Sequence, residues 1–154
     1  MDRFASDPLP LSPRIASGDF NLAQLVFYGV DHSGPSFRAL AFLNAPEVDL
    51  GAPRSEGSDY AGSFTIFGHG GCSGEEGHCH VPESQKDPFD SRPLHGLTPQ
   101  TKLIDITAAL KCVLANPEAD RNYLQVTVVP VVAGQPDESS DVLFFSAMRF
   151  AAFD

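Results

Sequence analysis

The densest group of chemistry-bearing side chains lies in one short run, Phe67-Gly68-His69-Gly70-Gly71-Cys72-Ser73-Gly74-Glu75-Glu76-Gly77-His78-Cys79-His80-Val81-Pro82. Residues 69–80 hold three histidines (His69, His78, His80) and two cysteines (Cys72, Cys79). The glycines between them let the backbone turn tightly and bring the side chains together. Imidazole and thiolate are donors for copper(I) or zinc(II), so these five residues form a candidate metal set, with His95 as an outlying donor. The Cys-x6-Cys spacing is not that of a zinc finger. It suits equally a Cys72–Cys79 disulfide closing a small loop, worth about 2–3 kcal/mol where the surroundings are oxidising. A polar loop with free thiols and solvated imidazoles is the third reading, and the residues leave all three open.

Catalytic chemistry finds little support in the same run. Cys79 beside His78 or His80 is a poor nucleophile–base pair, because adjacent side chains diverge in extended backbone and no oxyanion donor accompanies them. Glu83, Asp87 and Asp90 lack the spacing of a calcium loop and read as a solvated patch. Gly68-His69-Gly70-Gly71 follows a strand with no helix behind it, so it is a weak phosphate cradle. No Gly-Lys-Ser/Thr loop and no Gly-x-Ser-x-Gly elbow occurs. No catalytic residue is assigned, and the chain is expected not to be an enzyme.

The elements that must position the run are short and β-prone. Thirteen Gly and thirteen Pro in 154 residues divide the chain into brief segments, which suits an all-β fold rich in turns. Residues 1–20 contain Pro8, Pro10 and Pro13 and no period, and are expected to form an extended N-terminal arm. Residues 21–154 are expected to form one domain. Asn21–Val30 is apolar and β-prone, and Asp31-His32-Ser33-Gly34-Pro35 is turn chemistry with His32 exposed. Phe37–Leu43 alternates, with Phe37, Ala39, Ala41 and Leu43 on one face and Arg38, Leu40 and Phe42 on the other. These two strands are expected to pair as a hairpin.

Gly62–Phe67 reads as a third strand and Thr101–Ile106 as a fourth. Residues 68–99 between them are a long Gly/His/Cys-rich loop of the kind that is usually functional or pinned. A short helix spans Ala108–Ala115, with Asp105 or Thr107 as its cap and Cys112 as a buried structural thiol. Asn122–Val132 is a strand in which Pro130 requires an edge or a bulge. Val142–Phe153 closes the domain, and adjacent Phe144 and Phe145 cannot both face inward. About six to seven strands, one short helix and no βαβ alternation predict an antiparallel β-sandwich.

Four blocks of this sequence resemble a known family in order and spacing. Tyr60-Ala61-Gly62-Ser63-Phe64-Thr65-Ile66-Phe67-Gly68 is similar to the Ala-Gly-Ser/Thr-Phe strand of the β-sandwich domains that follow the copper domain in molluscan haemocyanins and plant polyphenol oxidases. Leu97-Thr98-Pro99, Ile104-Asp105-Ile106-Thr107 and Leu124-Gln125-Val126-Thr127-Val128-Val129-Pro130 follow in the family's order. The resemblance covers roughly residues 22–152. It implies a domain that packs over the entrance of a type 3 dicopper site and limits access to it. The family's dicopper ligands, three His per copper, sit on a helix bundle in the preceding domain. This chain has five His and no helical His-x-x-x-His, so the resemblance implies no dicopper centre here.

The partners follow from charge and from the resemblance. A net charge of −10 and a pI near 4.7 disfavour nucleic acid. No apolar stretch is long enough to span a bilayer, and Met1–Phe20 has no secretory h-region, so a soluble cytoplasmic chain is expected. The expected partner is a tyrosinase-like copper protein, served by shielding or by help in maturation. The alternatives are a stand-alone copper or zinc module built on residues 69–80, and a structural subunit that associates with its own copies.

Overall fold

The structure is a computed structural model that describes residues 1–51, 54, 59–69, 99–132 and 139–154. Nine strands and two helices follow in chain order among these residues. They are β1 (Phe4–Ala5), β2 (Leu9–Pro10), α1 (Pro13–Ala16), β3 (Leu22–Val30), β4 (Phe37–Leu43), β5 (Tyr60–Ile66), β6 (Gln100–Asp105), α2 (Thr107–Ala115), β7 (Tyr123–Leu124), β8 (Val126–Val132) and β9 (Ala147–Phe153). One sheet has the order β1-β8-β4-β5, a second β6-β3-β9, and β2 pairs with β7 alone. Every pairing is antiparallel. This is the predicted all-β, sandwich-like fold. No helix among the described residues is long and apolar enough to cross a membrane.

Strand periodicity places the core. Ala23, Leu25 and Phe27 of β3 are fully buried at alternate positions. Phe37, Ala39, Ala41 and Leu43 of β4 join them, with Phe64 and Ile66 of β5 and Val126 and Val128 of β8, in one apolar cluster between the sheets. The other face of β4 is buried as well. Leu40 and Phe42 pack with Val129, Val131 and Ala45 in a second, smaller cluster on the outside of that sheet. The alternation read from Phe37–Leu43 therefore sorts its side chains between two cores.

Several expectations change. β3 and β4 are not a hairpin. They lie in different sheets, and residues 31–36 carry the chain from one layer to the other. Both hydrogen-bonding edges of β4 are taken, one by β8 and the other by β5, which leaves no edge for β3. The expected strand 122–132 divides at Gln125, whose backbone N–H and C=O turn to Asn44 instead of a ladder. Asn44 sits at φ 52°, a left-handed conformation that asparagine tolerates. The closing strand begins at Ala147, not Val142. Phe145 packs edge-on against Phe4 and Phe27, whereas Phe144 is exposed.

The described residues form two helices rather than one. The four-residue α1 has Ser12 as its cap, with the Ile15 amide donating to Ser12 Oγ. In α2, Leu110 and Leu114 face the core. Cys112 is exposed, a correction to the buried thiol. Two residues from either leucine, it falls on the opposite side of a 3.6-residue turn. Ile106 occupies the cap position of α2 and supplies no side-chain bond; Asp105 serves instead, accepting from the Thr107 amide at 2.9 Å. Pro130 lies beyond the stretch of β8 that β1 covers. Its carbonyl turns away from β4 and accepts from the Ser140 amide, which is the edge position that proline requires.

The first twenty residues are stitched to the body. The Ser6 amide donates to the Val126 carbonyl, and the Val126 amide donates to Ser6 Oγ. The Met1 ammonium donates to the Leu143 carbonyl and pairs with Asp141.

Candidate functional site

Two histidines from distant parts of the chain meet at one end of the sandwich. His32 follows β3, and His69 lies three residues beyond the end of β5. The ring centroids are 5.0 Å apart with an interplanar angle of 70°. His32 is buried and His69 is half-buried.

Local chemistry explains the meeting. The register of β3 shifts between Phe27 and Val30, where Gly29 takes φ 65°. After this bulge, Val30 and His32 continue the inward-facing set. The turn that follows is tied by Asp31. Its carboxylate accepts from the Ser33 amide at 2.8 Å and from the Ser33 hydroxyl at 3.0 Å. The Ser33 amide foremost, then its hydroxyl and the neighbouring His32, hold the Asp31 carboxyl below its ordinary pKa against the opposing effect of burial.

The exit from β5 is clamped onto this turn. The Gly68 amide donates to Ser36 Oγ at 3.0 Å, and the His69 amide donates to the His32 carbonyl at 3.0 Å. Nδ1 of His69 also lies 3.4 Å from that carbonyl. Only glycine fits at position 68, because a Cβ there would overlap the Gly34 carbonyl oxygen and the Pro35 backbone.

Of the five residues proposed as metal ligands, His69 belongs to this pair. Cys72, His78, Cys79 and His80 lie outside the described residues, as do the alternative Cys72–Cys79 disulfide and His95. Among the described residues no group of three or more His, Cys, Asp or Glu is close enough to hold an ion. Turn chemistry predicts an exposed His32, whereas the structure buries it. The signal that could have found it is alternation, which runs on past Val30 once the bulge is allowed for.

A second feature lies elsewhere on the body. A cleft of about 920 Å³ is lined by Asn44, Asp59, Cys112, Asn116, Asp120 and Tyr123, among others. Its described lining contains carboxylates, amides, a thiol and a phenol but no Lys, Arg or His. Asp120 and Asn116 are each engaged as acceptors of nearby main-chain amides.

No protein-family model matches this sequence, and no curated protein does. Solved structures do match in fold. The chain is similar to a recombinantly expressed latent aurone synthase (a polyphenol oxidase) at 18% identity and a TM-score of 0.54, over 99% of this chain and 24% of that one. The same enzyme from its natural source matches at 18% identity and a TM-score of 0.52, again over 99% and 24%. The chain thus spans about a quarter of the length of these enzymes. The likeness is one of fold, and it falls on the class of enzyme that the four sequence blocks resemble.

Proposed function

We propose that this chain is a non-catalytic β-sandwich companion of a tyrosinase-like, type 3 copper protein, shielding its copper centre or assisting its maturation. The observation that carries the reading is coverage: nearly all of this chain corresponds to a quarter of a latent polyphenol oxidase. The remaining three quarters of such an enzyme have no counterpart here. The histidine count points the same way, because five histidines cannot supply three to each of two coppers.

The surface suits a docking role. Tyr28, Leu103 and Phe153 are exposed on the strands of the β6-β3-β9 sheet, and Phe144 is exposed beside it. Exposed aromatic and aliphatic side chains on one layer are the usual material of a protein contact. The net charge of −10 calls for a neutral or basic face opposite.

The test mixes the purified chain with a tyrosinase-like enzyme and follows phenol oxidation, copper content and complex size by light scattering. The chain alone is expected to oxidise no phenol. Added to the enzyme, it is expected to form a complex and either slow turnover of bulky phenols or raise copper loading. Oxidation by the chain alone would overturn the reading. Self-association without any effect on the enzyme would replace it with that of a structural subunit.

A further inference from the structure

We infer that two copies of this chain associate through the free edge of β9, which pairs antiparallel with its own equivalent about a two-fold axis at Phe150. The sheet edges are not alike. β1 is only two residues long. β5 and β6 close one side of the sandwich, where Gly62 of β5 approaches the Ile104 side chain of β6 too closely for a Cβ to fit. The pairing of each with its neighbour is also interrupted by a register shift, at Ala41/Phe42 for β5 and at Phe27/Val30 for β6. Bulges of this kind discourage a further strand. β9 carries no such guard. Its seven residues, AMRFAAF, include no Pro, Gly or Lys, and its register with β3 runs unbroken from Leu22–Phe153 to Tyr28–Ala147. Among the described residues, no strand takes its other edge. The unpaired N–H and C=O groups of a regular apolar edge are a template for another strand.

Burial shows that the core is open there. Met148, Phe150 and Ala152 pack against the main apolar cluster but are only partly buried. Their cross-strand neighbours on β3, Phe27, Leu25 and Ala23, are fully buried. A strand added beside β9 would cover the exposed flank of that row.

The sequence of β9 argues that the added strand is a second β9. With the axis at Phe150 all seven residues find partners, and each core-facing residue meets another. Phe150 meets Phe150 of the second copy, an aromatic pair. Met148 lies opposite Ala152 and Ala147 opposite Phe153, a large side chain against a small one each time. Arg149, the one charge in the strand, lies opposite Ala151. Moving the axis to Arg149 would set guanidinium against guanidinium, and moving it to Ala151 would shorten the ladder. Every contact is made twice, as in an isologous interface. The two three-stranded sheets become one, with Tyr28 and Leu103 still on its outer face.

The test is sedimentation of the full chain from about 10 µM to about 1 mM, a range that reveals even weak pairing. A mass rising to twice 16.5 kDa is expected. Ala151 lies on the outward face, so substitutions there probe the register with little effect on the core. Ala151→Lys sets like charges opposite each other twice per dimer, and Ala151→Glu sets opposite charges. Kd should rise in the first and fall in the second, each by roughly two- to thirtyfold. Arg149→Glu combined with Ala151→Lys should restore tight pairing. Hydrogen exchange on the unsubstituted chain serves should a variant not fold: alternate β9 amides should exchange more slowly as concentration rises. A single-chain mass throughout would overturn the proposal, as would equal Kd values for Ala151→Lys and Ala151→Glu. Protection of β9 by an added tyrosinase-like enzyme, but not by concentration, would assign the edge to a foreign strand and overturn it too. The inference is separate from the companion reading: a failed partner assay leaves the dimer standing, and a dimer that still acts on the enzyme sustains both.

Discussion

Replacing Gly68 by alanine tests whether the contact between the β5 exit and the 31–36 turn is as tight as the structure shows. The added methyl would have to displace the backbone of Gly34 and Pro35, not the end of a flexible side chain. Moving that backbone breaks the Gly68–Ser36 and His69–His32 bonds. At about 0.5–1.5 kcal/mol each, their loss amounts to roughly 1–3 kcal/mol. With a urea m-value of about 2 kcal/mol/M, the unfolding midpoint should fall by about 0.5–1.5 M. Far-UV circular dichroism is the suitable probe, since the chain has no Trp and only three Tyr. Gly34→Ala is the control, because a Cβ at Gly34 meets nothing within 4 Å, and it should shift the midpoint little. A Gly68→Ala chain as stable as Gly34→Ala would refute the reasoning.

Three further outcomes are expected. Thr107→Val leaves the Ala23 amide without the Thr107 Oγ1 acceptor it reaches at 2.9 Å, so stability should drop by about 1–2 kcal/mol, and hydrogen exchange at Ala23 should quicken. Asp105 is held below its usual pKa by the Thr107 hydroxyl and amide, so its stabilising effect is full above the unfolded value near 3.8 and disappears as pH falls through the folded one. Asp105→Asn should accordingly differ from wild type at neutral pH and converge with it in strong acid, as read by urea unfolding across pH. Phe27→Ala removes a fully buried ring that contacts Phe64 and Phe145, and should cost about 3–5 kcal/mol in the same assay.

The sequence carried the fold wherever one strand face was apolar and the other was not. Phe37–Leu43 and Gly62–Phe67 announced their alternation, and the structure buries Phe37, Ala39, Phe64 and Ile66 accordingly. Pairing was harder to read. The 31–36 turn has the residues of a hairpin loop, yet it bridges two layers, because β5 and β8 occupy both edges of β4. Local turn chemistry reports that the chain reverses, not which strand lies opposite. Cys112 is exposed where its apolar run predicts burial, because such a run hides helical phase. Leu110 and Leu114 claim the core, and the residue midway between them does not. His32 was hidden by a bulge that shifts the period by one. His69 stood out only as the start of a histidine-rich run, and the partner the structure gives it is 37 residues away in sequence.

That separation explains why the histidine pair lies at a seam between layers. A strand interior offers a side chain one neighbour above, one below and the opposing sheet, all spent on packing in this core. At a crossover the ladder has ended, so backbone donors and acceptors must find new partners. The amides of Gly68 and His69 find Ser36 and His32, and the side chains carried on those residues are brought together as a by-product of satisfying the main chain. A site made this way needs no substitution in either apolar cluster. Its geometry is set by the point where β5 runs out and by a glycine that lets two backbones touch. The exposed side chains of the β6-β3-β9 sheet, Tyr28, Leu103 and Phe153, take no part in either apolar cluster.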